Sequence, residues 1–140
     1  MGYKNDALTY SPIGSVAINH GRALKLVMSA GSPVVREIED ADADVVVGWA
    51  LSSRAVNDTS PVPVRMMYEG TINCEFDPAR SANIVKGTEL YLTDEGLVTD
   101  QSTDSPYKIG WAMEDAANAK YIECLILRQY PMYEGESSTP

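Results

Sequence analysis

A period of two dominates the chain. Val62, Val64, Met66 and Tyr68 alternate with Pro63, Arg65, Met67 and Glu69, the pattern of a strand with one face against a core. Tyr107, Ile109, Trp111 and Met113 repeat it around Lys108, Gly110 and Ala112, as do Leu24, Leu26 and Met28 around Lys25 and Val27. Two runs are apolar at successive positions, Val45-Val46-Val47 and Tyr121 to Leu127 broken only by Glu123, and these predict central strands covered on both sides. Ala30-Gly31-Ser32-Pro33 reads as a hairpin turn, and Thr93-Asp94-Glu95-Gly96-Leu97 as a type I turn with Gly96 in the left-handed region. Lys86-Gly87 precedes one strand, and Glu69-Gly70 interrupts another at a bulge. Helix signals are confined to Asp77–Asn83, with an Asp N-cap followed by Pro, and to Glu114–Ala119; both are too short to contribute much.

The expected fold is all-β: a single small antiparallel barrel or sandwich of about eight to ten short strands, with at most one or two short helical turns. It divides into an N-terminal arm (1–14), a barrel or sandwich domain (15–130) and a flexible C-terminal tail (131–140). Residues 1–14 show no clear strand. They read either as a frayed end or as an arm that lies on a partner, and Tyr3, Leu8, Tyr10 and Ile13 favour the arm.

Composition narrows the function classes. The chain has 140 residues, with 20 acidic and 11 basic side chains, a net charge of −9 and a pI near 4.4. One domain's worth of core fits that length. The acidic balance argues against nucleic acid and against anionic membranes as partners, since both select basic faces. No charged start followed by an apolar run resembles a leader, and no stretch is long and apolar enough to span a bilayer, so synthesis in a host cytoplasm is expected. Cys74 and Cys124 sit in apolar segments and read as reduced, half-buried thiols; a disulfide between neighbouring strands would need close Cβ atoms.

An internal echo stands out. Val47-Gly48-Trp49-Ala50-Leu51 matches Ile109-Gly110-Trp111-Ala112-Met113 position by position, and each is followed by a polar loop and an apolar strand. A glycine beside a tryptophan leaves room for a neighbouring backbone on one face while the indole fills the other. The echo reads as a recurrent hairpin corner of one barrel. From Gly48-Trp49-Ala50 the order runs through a strand ending at Glu69-Gly70, then Lys86-Gly87-Thr88-Glu89-Leu90-Tyr91-Leu92-Thr93-Asp94-Glu95-Gly96-Leu97-Val98, then Ile109-Gly110-Trp111-Ala112. Over roughly residues 45–127 this order resembles the phage capsid decoration, or head cement, proteins; tryptophan in both Gly-x-Ala elements departs from their plainer pattern. The resemblance implies a structural virion protein on the outer capsid surface, a homotrimer whose partner is the major capsid protein, with Tyr3, Leu8, Tyr10 and Ile13 as the candidate capsid contact.

No catalytic, cofactor-binding or metal-binding residues are expected. His20 is the only histidine, in a turn, and lies far in sequence from either cysteine, which leaves a zinc set incomplete. The acidic run Glu37–Asp44 lacks the glycine and spacing of a calcium loop. Nucleotide-cradling and nucleophile-elbow motifs are absent, and Arg80-Ser81-Ala82 does not complete the Arg-Ser-Ser element of trimeric dUTP pyrophosphatases. The alternative is a carbohydrate- or host-surface-binding β-barrel module displayed on a particle; an exposed Trp49 or Trp111 would favour it, since sugar faces stack on aromatic rings, and burial of both would favour the structural reading.

Overall fold

The computed structural model describes residues 7–66, 71–77, 79 and 83–126. They form twelve strands, and no helix occurs among the described residues. In chain order these are β1 (Ala7–Tyr10), β2 (Ala23–Ser29), β3 (Ser32–Glu37), β4 (Gly48–Ala50), β5 (Val62–Met66) and β6 (Thr71–Glu75). They continue with β7 (Asn83–Ile84), β8 (Glu89–Leu92), β9 (Val98–Thr99), β10 (Gly110–Ala112), β11 (Ala116–Ala117) and β12 (Tyr121–Ile126). One sheet has the order β1-β5-β4-β2-β3, a second β6-β12-β10-β8-β9, and β7 pairs with β11. The all-β antiparallel expectation holds. Short two-residue ladders such as β7–β11 have no periodicity to reveal them, which raises the strand number.

Each sheet curls until the continuation of its first strand meets its last. Pro12 bridges Val35 and Phe76 bridges Val98, both in parallel. The two sheets are built alike down to single hydrogen bonds. The Ile13 amide donates to the Val35 carbonyl at 2.9 Å, and the Asp77 amide to the Val98 carbonyl at 3.0 Å. Val47 donates to Leu24 and Ile109 to Leu90; Gly21 donates to Ala50 and Gly87 to Ala112; Leu51 donates to Pro63 and Met113 to Glu123. The isolated Ile18–Arg54 bridge of the first sheet corresponds to the β7–β11 ladder, where Ile84 faces Ala116. The echo therefore marks corresponding strands, β4 and β10, of two units that share one topology.

Glycine is required at the echo because the next strand crosses there. A Cβ on Gly48 would collide with the Arg65 carbonyl oxygen, and one on Gly110 with that of Leu125. Gly48 and Ala50 thus turn into the first sheet while Trp49 points out of it, and Gly110, Ala112 and Trp111 do the same in the second. Ile18, Leu24, Val35, Ala50, Val62 and Val64 fill the first sheet, with Tyr10 and Val47 packed on them. A larger cluster fills the second with Ile72, Phe76, Leu90, Leu92, Ile109 and Ile122 among others, and reaches across to Ala23, Ile38, Ala41, Val46 and Trp49 of the first.

Several local expectations change. Ala7–Tyr10, read as part of a strandless arm, pairs with Val62–Arg65 of β5; four residues beside a proline are too few to show alternation. Val45–Val47 is not a strand, since Val45 is exposed and pairing begins at Gly48. Glu114–Ala119 is not helical: the Asp115 and Glu114 carboxylates accept the Lys86 and Glu123 amides, and Asn118 takes a positive φ of 52°. The Asp77 carboxylate accepts the Ala79 amide as the expected N-cap does, while residues 78 and 80–82 of that turn lie outside the described residues. The β2–β3 hairpin runs past the body of its sheet, so Leu24 is buried whereas Leu26 and Met28 are 40% and 69% exposed. On β3 the Val35 amide donates to the Ser11 carbonyl. Pro33, two residues earlier, faces the same edge and has no amide hydrogen to offer.

Gly110→Ala and Gly48→Ala are each expected to cost at least about 2 kcal/mol, a fall in Tm of roughly 6–10 °C, because backbone must move to admit the methyl group. Thermal melts by circular dichroism check this, with Gly31→Ala, whose Cβ would meet nothing within 4 Å, as the reference for strain from positive φ alone.

Candidate functional site

The second unit docks on the first through a hairpin turn. Thr93 folds the β8–β9 turn by accepting the Glu95 and Leu97 amides on its hydroxyl and the Gly96 amide on its carbonyl. Gly96 takes the left-handed φ of 85° expected of it, and its carbonyl accepts the Ala23 amide of β2 at 3.1 Å. The Asp94 carboxylate accepts the Ala41 amide at 2.8 Å, and the Glu75 amide donates to the Gly21 carbonyl at 2.8 Å. Trp49 is fully buried at this junction, and its indole N–H finds no acceptor. It is held there by apolar packing alone.

Charged groups frame the junction. Arg22 binds Glu75 at 2.9 Å and faces Glu37 at 3.6 Å, and Glu37 also accepts the Asn19 amide and side chain. Burial alone would lower the Arg22 pKa, but these carboxylates raise it. The acidic run Glu37–Asp44 is folded around cations of the chain itself. Lys25 meets Glu39 at 2.9 Å and Asp44 at 3.0 Å, and Arg36 meets Glu39 at 2.9 Å. Burial pushes the Asp44 carboxyl up, while the Glu39 and Asp40 amides and Lys25 more than offset this and hold it below its ordinary 3.8.

The outer face of the second sheet is open where that of the first is covered. Cross-strand register aligns Ala23, Trp49, Arg65 and Ala7 in the first unit and Glu89, Trp111, Leu125 and Thr71 in the second. Trp111 is half-buried, with the Lys108 ammonium 5.0 Å from its ring centroid and bound to Glu89 at 3.3 Å. Beside this row Thr71, Asn73, Glu114 and Glu123 line an open depression of about 480 Å³.

The residues expected to form a capsid contact part company. Tyr3 lies outside the described residues. Tyr10 faces Val62 and packs on the first core, Ile13 is half-buried, and Leu8 opposite Val64 is 50% exposed. His20 sits in its turn, its ring 4.9 Å from that of Tyr121. Cys74 and Cys124 are free and fully buried, and burial raises the Cys74 thiol well above its ordinary range. Among the described residues no group of three metal-ligating side chains converges. Sequence reading missed the β2–β3 hairpin as a surface. Leu26 to Val35 is ten residues without a charge, but Ala7 to Gly21 is fifteen, so the absence of charge did not by itself single out the hairpin.

No protein-family model and no curated protein matches the chain. Among solved structures it is similar to the N base of the head fiber gp8.5 of bacteriophage phi29, with a TM-score of 0.64 and 14% identity, over 88% of this chain and 96% of that one. The two share a fold.

Two predictions follow from the junction and its frame. The Asp44 carboxylate stabilises the fold above its ordinary pKa, and that contribution is lost as pH falls through its lower folded value. Unfolding free energy should therefore fall as pH drops below about 3.8. Asp44→Asn should flatten that fall and cost about 1 kcal/mol at pH 7, read by urea titration at several pH values. In a single copy of the chain iodide should quench the half-buried Trp111 and spare Trp49, so at a dilution where copies are separate Trp111→Phe should abolish quenching while Trp49→Phe keeps it.

Proposed function

We propose that the chain is a non-enzymatic structural protein of a phage virion that seats on the outer surface of the assembled head and stabilises it, as a homotrimer whose partner is the major capsid protein. The observation that carries this is the shared fold with a phage head fiber base over nearly the whole of both chains. It agrees with the Gly-centred order from Gly48 to Ala112 that resembles the decoration proteins. The disposition of reactive groups supports it as well. His20 packs on Tyr121, the thiols are buried, and Glu39 and Asp44 of the acidic run are paired with Lys25 and Arg36.

The physical basis is linkage. A protein that binds only the assembled lattice stabilises it, by about 4 kcal/mol per site when free protein is 1,000 times its dissociation constant. Many equivalent sites multiply a modest contact. Net charge of −9 keeps such a protein dispersed before assembly. The carbohydrate-binding alternative loses Trp49 to the junction, and Lys108 lies over the ring of Trp111.

Phage heads assembled without the chain should bind it in a co-sedimentation assay and release their DNA at a higher temperature once loaded. Absence of binding at micromolar protein overturns the proposal. The N-terminal contact is tested by removing residues 1–6; removal of 1–14 would also take β1 and the Ser11 and Ile13 hydrogen bonds to Val35. Loss of head binding with an unchanged melt supports the arm; full occupancy removes Tyr3 from it, and full occupancy by a Leu8→Asp protein as well removes the arm.

A further inference from the structure

The two units use their corresponding hairpins differently, and the difference points to a contact between copies. In the second unit the β8–β9 turn packs on the first at Ala23, whose amide donates to the Gly96 carbonyl, and at Ala41, whose amide donates to the Asp94 carboxylate. Its counterpart is the β2–β3 hairpin, and the counterpart of the Ala23–Trp49 face is the Glu89–Trp111 face. Among the described residues no strand or turn packs on either counterpart: Leu26 and Met28 stand exposed, and Trp111 and Leu125 are half-buried.

The hairpin is more than a leftover. From Leu24 to Val35 it spans three residues more than the equivalent stretch from Leu90 to Val98. Its added length carries no charge, and Met28 and Leu26 stand exposed across from Pro33 and Val35. The receiving face differs in the complementary sense. The alanine at position 23 is replaced by Glu89, and Val46 by Lys108, so the indole of Trp111 and the side chain of Leu125 lie between charged groups that stay hydrated until covered. An apolar ribbon fits against Leu125 and the indole once the Lys108 ammonium, which lies 5.0 Å over the ring and on Glu89, swings to the rim. With Pro33 at the outward edge, contact goes through side chains and not through an added strand.

We propose that the β2–β3 hairpin of one copy docks through its side chains on the Trp111–Leu125 face of a second copy, beside Glu89, the position that corresponds to Ala23, where β8–β9 packs within one chain. The contact is head-to-tail, and such contacts close into rings when the rotation allows. It rests on the homotrimer reading above, and names the surfaces that build the trimer.

Light scattering should give the wild-type chain a mass that is a multiple of 15.2 kDa. Met28→Asp should return it to a single copy with an unchanged circular dichroism spectrum, self-association weakening about 100-fold or more because a charge would be buried unpaired. Mixing a Met28→Cys protein with a Leu125→Cys protein should give a disulfide between the two species and little within either; the native thiols are buried and silent. A hairpin-to-hairpin link in Met28→Cys alone overturns the proposal, as does a Met28→Asp protein that keeps its mass. A Met28→Asp protein that stays assembled but no longer binds heads assigns the hairpin to the shell, which overturns it too. A wild-type chain that is monomeric at high concentration yet binds heads defeats this contact and the trimer while leaving the head-binding role.

Discussion

Burial of Trp49 between the two sheets is the contact on which the rest of the molecule depends. The indole points out of its own sheet because Gly48 and Ala50 must point in, and Gly48 must be glycine because the Arg65 carbonyl crosses there. A side chain of that size on an outer face exposes more apolar surface than a small unit can leave in water. The second unit covers it with the β8–β9 turn and the cluster around Leu90, Leu92 and Ile109. Without that cover each five-stranded unit would be near the lower limit of what a single core can stabilise.

The same junction shows how few cations a chain this acidic can spare. Arg22 is placed where Glu37 and Glu75 from different units meet, and Lys25 with Arg36 gathers the densest run of carboxylates. Pairing of Glu39 and Asp44 with these cations holds part of the loop 38–47, whose Ile38, Ala41 and Val46 pack with the second unit. Two long stretches carry no charge, Ala7–Gly21 and Leu26–Val35, and the second is the exposed hairpin.

Much of the fold was legible and its doubling was not. Alternation at Val62 and Val64 and the turn at Gly96 identified strands because one face of each is buried and the turn needs a positive φ. Alternation at Leu24, Leu26 and Met28 was equally regular but led out of the core, since period reports a face and not what covers it. The Gly-Trp-Ala echo showed only where a backbone close approach repeats. The rest of the repeat is carried by hydrogen bonds between main-chain groups, which leave residue identity free: Ala23 answers to Glu89, and Arg65 to Leu125. The candidate contact surfaces are invisible for the same reason, as they arise from how two such units differ.

Pro33 carries a consequence for the protein before assembly. A ribbon with ten uncharged residues, whose outer edge is bonded at Val35 and open toward its tip among the described residues, would at high protein concentration recruit identical ribbons into growing fibrils. Removing one hydrogen-bond donor from that edge breaks the templating ladder without adding a charge. The chain can therefore store a sticky element in soluble form and still use its side chains later.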